Sequence, residues 1–323
     1  MVSTATVSRC LNSPQQVVAD TRARVMQAVE DLGYTPNFGA RVMAAKRTYT
    51  IGAIIPTMEN AVFARGLQAF QEELRERGYT LLVASSAYQP EVEAAQIRAL
   101  VARGADGLLL IGYERSNKIT TLLQAQNIPT LVAWTYSGTN AQPSVGFDNR
   151  AAMSALTREV LDHGHRDIGF ISFYVQDNDR ARERLIGLKE TLQDAGLPTN
   201  ALRVVETSYG VESGGAAFEQ MMCSGTPPTA VMCGNDVLAV GALRQAREMG
   251  MSVPDDVSIT GFDDLELARI VTPALTTVHV PHRKMGRAAA RELVMMVEKK
   301  TSGTSIELDS WIVTRESLDR PAR

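Results

Sequence analysis

From residue 50 onward, short apolar runs rich in β-forming residues alternate with amphipathic helical segments, and this alternation strongly restricts the fold. Eight such runs occur, from TIGAIIP at 50–56 to VSITGFD at 257–263. Continuous apolar runs are typical of parallel strands that are covered on both faces, and the intervening segments carry apolar residues at helical spacing. The pattern predicts an α/β fold with parallel strands, arranged either as one closed barrel or as two open lobes.

The segment VGFDN at 145–149 interrupts the alternation and favours two lobes. A strand-like run leads there directly into a helix at 150–163, as expected where a chain crosses between lobes. We predict two doubly wound parallel-sheet lobes, the first from 50–147 plus about 281–307 and the second from 148–280 plus about 308–323. Open α/β sheets bind ligands beyond the carboxyl ends of their strands, so the predicted ligand site lies between the lobes.

Residues 1–49 contain no strand-like run and differ in charge from the rest of the chain. The patterns at 4–12 and 19–34 predict two helices, and 36–48 reads as a linker that could form a short helix. Residues 1–50 hold six basic and three acidic side chains, whereas the remainder holds 27 basic and 33 acidic ones. A small basic piece on a larger acidic body is typical of a DNA-binding unit joined to a sensor, although so small an excess also arises by chance.

Several functional classes are disfavoured by what the sequence lacks. No apolar run approaches the ~20 residues that span a bilayer, and no signal peptide is recognisable. The three cysteines and four histidines match neither a zinc site nor a disulfide framework, so we predict a cytoplasmic protein with no metal and no cofactor. The first β-α turn, IPTMENAVF, lacks the GxGxxG of a dinucleotide-binding oxidoreductase, and no nucleophile-and-base set is recognisable. An enzyme is therefore not expected.

Ordered motifs along nearly the whole chain resemble the LacI/GalR family of transcription regulators. They include TVSRCLN at 6–12, LGYTPN at 32–37, HGHRDIGFIS at 163–172, CGNDVLAVGAL at 233–243 and VPDDVSITGFDD at 253–264. The stretch at 88–100, together with VGFDN, also resembles the gluconate-regulator branch. The resemblance implies a helix-turn-helix domain within 1–36, a hinge helix or linker at 37–49 and a periplasmic-binding-protein-like effector domain. It further implies a homodimer, a palindromic operator DNA and a small effector, a sugar or sugar acid. The alternative is a sugar-binding protein of the same two-lobed fold that does not bind DNA.

The resemblance assigns DNA contacts to the first helix and the hinge. In the family, the positions that match Thr4, Ala5 and Arg9 read operator bases. Ser3 and Thr6 are expected to lie close to phosphates. Met43 matches the side chain that wedges between base steps in the minor groove. The implied DNA-binding set is Ser3, Thr4, Ala5, Thr6, Arg9, Ala40 and Met43. Without the resemblance, a solvated helix face and an unstructured linker explain these residues.

The resemblance also assigns effector contacts, namely Phe63, Trp134, Arg180, Arg184, Tyr209, Asn235 and Asp263. Arg184 matches the arginine that grips effector hydroxyls or carboxylates, and Arg180 lies one turn earlier on the same helix. Trp134 departs from the aspartate that many relatives carry, which indicates stacking. Structural alternatives exist for several assignments: an N-cap for Asn235, a turn for Asp263, a surface position on a charged helix for Arg180, and a plain core position for Phe63 and Tyr209.

The family's helix-turn-helix domain has a helix and turn of roughly a dozen residues before the position of residue 2. We therefore expect the first helix of that domain to be missing from this chain, which would weaken operator binding. Its loss is expected to expose five apolar side chains, Val7, Leu11, Val25, Val29 and Leu32.

Overall fold

A computed structural model describes residues 2–12, 14–34, 47–59 and 61–322. Its strands are β1 (Thr50–Ile55), β2 (Thr80–Ser85), β3 (Gly107–Ile111), β4 (Thr130–Ala133), β5 (Ser144–Gly146), β6 (Ile168–Phe173), β7 (Arg203–Thr207), β8 (Ala230–Cys233), β9 (Ser258–Thr260), β10 (Thr277–His279), β11 (Ile306–Glu307) and β12 (Trp311–Val313). Its α-helices are α1 (Thr4–Asn12), α2 (Ala19–Asp31), α3 (Ala61–Glu76), α4 (Pro90–Ala102), α5 (Asn117–Ala125), α6 (Asn149–Asp162), α7 (Asp179–Asp194), α8 (Val211–Cys223), α9 (Asp236–Glu248), α10 (Leu267–Ile270) and α11 (His282–Lys299). The predicted Ala40 and Met43 lie outside the described residues.

The first lobe is built on a six-stranded sheet in the order β11-β5-β4-β3-β1-β2, in which every pair is parallel. Successive side chains of a strand point to opposite faces of a sheet. Leu109 accordingly joins the apolar cluster that includes α3 and α11, whereas Leu108 and Leu110 join the cluster formed with α4 and α5. Because helices cover both faces, the strands carry unbroken apolar runs, as the sequence indicated.

The second lobe is built on a four-stranded parallel sheet in the order β7-β6-β8-β9. Phe170 packs on the same side as α6 and α7, and Ile171 packs on the side of α8 and α9. The prediction of two open, doubly wound lobes is thus confirmed over a single barrel. No helix in the described ranges is long and apolar enough to cross a membrane.

The chain passes between the two sheets three times. It leaves the first sheet after β5, returns through β10 and α11 to β11, and then runs back to the second lobe, where the backbone N–H of Ile259 donates to the carbonyl of Ser317 (2.8 Å). One apolar cluster includes both Leu109 of the first sheet and Phe170 of the second. The sequence analysis did not predict β10, β11 or β12, which are strands of two or three residues.

Helices α3 and α11 pack against each other with their backbones in close approach. A Cβ atom at Gly286 would overlap the carbonyl oxygen of Gly66, so a side chain at this crossing would force the helices apart. At the far end of α11, Arg47 donates from Nη2 to the carbonyl oxygens of Val297 (2.9 Å) and Glu298 (3.3 Å). These bonds cap carbonyls that have no partner within the helix.

The two N-terminal helices, α1 and α2, pack on each other through the buried Cys10 and Val25. Helix α2 ends at Asp31 rather than at 34, because Gly33 adopts a positive φ of 57°. Leu32 is 80% exposed, as expected. The expectation of exposure is wrong for Val25, which is buried, and Val7, Leu11 and Val29 are half-buried.

Candidate functional site

All seven predicted effector residues line one cleft between the lobes, at the carboxyl ends of the strands. The cleft holds about 360 Å³ of space outside protein atoms, and its lining is Val62, Phe63, Tyr88, Trp134, Arg180, Ala181, Arg184, Tyr209, Asn235 and Asp263. Phe63 and Trp134 come from the first lobe, whereas Asn235 and Asp263 follow β8 and β9 of the second. The structure thus brings together residues that are separated by up to 200 positions in the sequence.

The Arg184 guanidinium is held in a fixed orientation by three contacts. Nε donates to Oδ1 of Asn149 (2.9 Å), Nη1 donates to the carbonyl of Gly234 (2.6 Å), and the guanidinium carbon lies 3.7 Å from the centre of the Phe262 ring. A cation above an aromatic face is attracted by the ring quadrupole. The remaining nitrogen, Nη2, lies 3.7 Å from Oδ1 of Asp263, which is beyond hydrogen-bond distance. The fork is therefore positioned in advance with one nitrogen still available to a ligand.

Asp263 and Asn235 present buried polar atoms without partners. Oδ1 of Asp263 and Nδ2 of Asn235 have no hydrogen-bond partner among the described residues. Oδ1 of Asn235 accepts from the backbone N–H of Leu238 (2.8 Å), so this residue caps α9 and faces the cleft at once. Burial raises the pKa of Asp263 to about 7, although Arg184 acts in the opposite direction. An unmet buried donor or acceptor costs about 1–3 kcal/mol, and a ligand hydroxyl can satisfy both kinds.

Aromatic side chains form the wall contributed by the first lobe. The rings of Phe63 and Trp134 are 5.5 Å apart at 60°, and His282 stacks behind Trp134 at 6.5 Å. Trp134 has a positive φ of 62°, which costs a non-glycine residue about 1–3 kcal/mol and is concentrated at functional sites. Burial lowers the pKa of His282 to about 3, so this ring is neutral at physiological pH. Stacking of Trp134 on a ligand stays a prediction, and the sequence analysis missed His282.

A second aromatic group joins the two lobes at the side of the cleft. Tyr209 stacks on Phe173 at 4.3 Å with nearly parallel rings, and Tyr88 of the first lobe packs on Phe173 at 4.4 Å. The sequence predicted Tyr209 but missed Tyr88 and Phe173. Both missed residues follow or end strands at the edge where the ligand site was expected, so strand topology was the signal that could have identified them.

Polar contacts also hold the lobes together across the cleft. Oδ2 of Asp179, at the start of α7, accepts from the backbone N–H of Tyr113 in the first lobe (2.6 Å). Arg65 of α3 forms an ion pair with Glu266 of the second lobe (2.9 Å). Arg180 donates to Oδ1 of Asp179 (2.8 Å), so part of its charge is already matched within the protein. The described structure therefore represents a closed arrangement of the lobes.

The N-terminal helix carries its predicted DNA-binding residues on or near the surface. Thr4, Ala5 and Arg9 are exposed. The hydroxyls of Ser3 and Thr6 hydrogen-bond to each other (2.9 Å), and Oγ of Ser3 accepts from the backbone N–H of Thr6. Ser3 thus caps the start of α1, a role that the DNA-based assignment did not include.

A two-lobed α/β module with a polar cleft, preceded by a small helical unit, defines a ligand-responsive regulator, and comparisons with known proteins agree. Residues 1–37 match the bacterial regulatory proteins of the lacI family, and residues 157–318 match the periplasmic binding protein-like domain. The transcriptional repressor PurR of Salmonella typhi is 34% identical over 327 aligned residues, covering 100% of this chain and 95% of that protein. The chain belongs to the LacI family and is a DNA-binding transcription regulator.

Two solved structures show the same fold. The lac repressor dimer bound to operator and the anti-inducer ONPF superimposes with a TM-score of 0.86 at 26% identity, covering 98% of this chain and 95% of that one. The transcriptional regulator CelR in complex with cellobiose has a TM-score of 0.74 at 28% identity, covering 98% and 96%.

Proposed function

We propose that this regulator is a cytoplasmic homodimeric repressor whose cleft binds a sugar or sugar acid. The observation that carries the proposal is the convergence of the Arg184 fork with an unpartnered acceptor on Asp263 and an unpartnered donor on Asn235. A sugar hydroxyl donates and accepts at once, so adjacent hydroxyls match this set, and aromatic rings cover the apolar face of a pyranose. The cellobiose complex of CelR supports a carbohydrate.

A thermal-shift screen of sugars and sugar acids tests the effector class. A ligand at a hundredfold excess over its Kd stabilises the native state by about 2.7 kcal/mol, which gives a clear shift in Tm. We expect at least one sugar or sugar acid to raise the Tm. If purines or amino acids bind and no carbohydrate does, the proposed effector class is wrong.

Effector binding is proposed to control DNA binding through the relative position of the lobes. Asp179 and Arg65 already contact the opposite lobe in the closed arrangement. Only a ligand with different affinities for the open and closed states shifts the equilibrium between them. A small-angle scattering profile that stays unchanged at saturating effector would count against closure.

Arg9→Ala is expected to reduce the preference for operator over scrambled DNA by about 5–150-fold. Arg9 is exposed near the end of α1, and a bidentate arginine–base contact contributes ~1–3 kcal/mol of discrimination. Gel shifts at low salt, with DNA from the regulator's own promoter region, measure the ratio. Arg98→Ala, at an exposed position of α4, is the matched control. An equal loss on operator and scrambled DNA would assign Arg9 to phosphates instead.

Light scattering is expected to give a mass about twice the 35.1 kDa of one chain. A palindromic operator requires a two-fold symmetric protein, and the lac repressor structure is a dimer. In this chain β2 lies at the edge of its sheet with Val83 40% exposed, which offers an apolar surface. A clean monomer at micromolar concentration would contradict the dimer.

A further inference from the structure

A second cavity, here called the outer chamber, adjoins the effector cleft. It holds about 560 Å³ outside protein atoms, and its lining includes Ser86, Tyr88, Gln89, Glu93, Arg115 and Asp177. Tyr88 and Arg180 line both the outer chamber and the cleft, so these two side chains form the partition between them. The chamber lies between the lobes, at the same carboxyl ends of β1, β2 and β3 that border the cleft.

Arg115 supplies a buried donor that the protein leaves unmet. Its side chain is 4% exposed. Nη1 donates to the carbonyl of Gly112 (2.6 Å), and Nη2 donates to the carbonyl of Ile111 (3.1 Å) and to Glu93 (3.1 Å), but Nε has no partner among the described residues. Burial lowers the pKa of Arg115, while Glu93 opposes this shift. A ligand acceptor in the chamber would relieve the cost of the unmet N–H.

The arginines around the chamber are already paired with carboxylates. Glu93 pairs with Arg115, and Asp179 pairs with Arg180 at 2.8 Å. With Asp177 also present on the lining, no surplus of positive charge exists there to attract a phosphate or carboxylate. The chamber therefore suits a neutral polar group that offers both donors and acceptors.

The conformation of the partition is fixed by the backbone. Ala87 and Tyr88 both have positive φ values, 51° and 58°, and the Tyr88 ring is held against Phe173. Two consecutive non-glycine residues in the left-handed region of backbone conformation are energetically unfavourable, and the surrounding structure holds them there. The result is an aromatic face between the two spaces, with the apolar side chains of Ile54 and Pro56 on the chamber wall.

We propose that the outer chamber is a subsite for a second, neutral sugar unit, so that the effector is a di- or oligosaccharide that extends past Tyr88 and Arg180. This inference rests on the proposed function of the cleft and adds the size of the effector. Ser86 and Gln89 on the lining can donate and accept hydrogen bonds, and Asp177 accepts from hydroxyls.

Calorimetric titration of the full chain with defined carbohydrates tests the subsite. The probes are maltose, cellobiose, trehalose, sucrose and lactose, with glucose, galactose, fructose, gluconate and glucose 6-phosphate for comparison. We expect one of the neutral disaccharides to bind at least tenfold more tightly than either of its own sugar units.

Ser86→Trp fills the chamber and is expected to weaken disaccharide binding by at least tenfold. Ser302→Trp introduces the same side chain at an exposed position of the first lobe and is the matched control. If Ser86→Trp fails to fold, Gln89→Ala, at an exposed position, is expected to weaken disaccharide binding severalfold.

Two results would overturn the subsite. One is a folded Ser86→Trp protein that binds the disaccharide as tightly as the wild type. The other is a panel in which gluconate, glucose 6-phosphate or a monosaccharide binds best, which leaves the proposed function intact. Failure of every carbohydrate would instead contradict the proposed function together with the subsite.

Discussion

Arg184→Ala is expected to lower effector affinity at least tenfold. A charge-assisted hydrogen bond contributes about 1.5–3 kcal/mol, and 1.4 kcal/mol corresponds to a tenfold change in Kd. The substitution also removes the donor to Asn149 and the charge nearest to Asp263, both of which are buried. The Tm should therefore fall as well, since removing one partner of a buried pair is destabilising.

Calorimetry with the identified effector measures this loss. Two further variants test whether the loss comes from the guanidinium group itself. Arg184→Lys keeps the charge but cannot span Asn149 and Gly234 with a planar fork, so it too should lose at least tenfold. Lys189→Ala removes an exposed cation from the same helix and should bind like the wild type. Wild-type affinity in the Arg184→Ala protein would refute the assignment of the cleft arginine.

Effector affinity is expected to fall by up to tenfold per pH unit below about pH 7. Burial raises the pKa of Asp263 to about 7, and sugar hydroxyls donate to its ionised form. Below this pH the ligand competes with a proton, whereas above about pH 8 the affinity levels off. Asp263→Asn is expected to remove most of the slope along with much of the affinity, and titrations from pH 5.5 to 8.5 measure both.

The pH dependence of stability gives an independent measure of the titration of Asp263. The folded-state pKa of Asp263 lies above its ordinary value of 3.8, so between these two pH values the native state binds more protons than the unfolded state. Its contribution to stability is therefore present at low pH and is lost as the pH rises through 7. Asp263→Asn should have a higher Tm than the wild type at pH 8 and a similar one at pH 4. The exposed Asp194→Asn is the control. An unchanged difference in Tm across this range would show that Asp263 does not titrate there.

A neighbouring carboxyl belongs to the same electrostatic system. Burial raises the pKa of Asp236 well above its usual range, and the charge of Asp263 adds to this effect. Asp236 accepts from Thr277 (2.6 Å) and from the backbone N–H of Leu265 (2.6 Å), which places it in the framework behind the cleft. Some pH dependence should therefore persist in the Asp263→Asn protein.

The sequence predicted the cleft well where strand topology or a family motif pointed directly to a residue. Asn235 and Asp263 follow strand ends, and Arg184 lies in a recognisable helix. Asn149 lies in the VGFDN segment that marked the crossover between the lobes, and its amide joins the Trp134 carbonyl (3.1 Å) to Nε of Arg184. This bridge depends on how three separate segments of the chain pack together, so the spacing of residues in the sequence does not predict it.

The roles of the aromatic residues in the cleft could not be assigned from the sequence either. The sequence gives no way to decide whether Phe63 belongs to the core or to the ligand site, and the structure shows that it is buried in the core cluster while lining the cleft. The positive φ of Trp134 and the stacking of His282 behind it follow from the turn after β4 and from the crossover into α11. Both depend on tertiary packing, which overrides what a tryptophan or a histidine prefers locally.

The close crossing of α3 and α11 has a mechanical consequence. Helix α11 runs for 18 residues, about 27 Å, from His282 beside the cleft to the carbonyls that Arg47 caps. Because no side chain separates Gly66 from Gly286, the backbones of the two helices are in direct contact, and we expect a movement of one helix to displace the other. We expect a tilt of Trp134 and His282 on effector binding to be carried along α11 to its far end, where Arg47 contacts the last carbonyls of the helix.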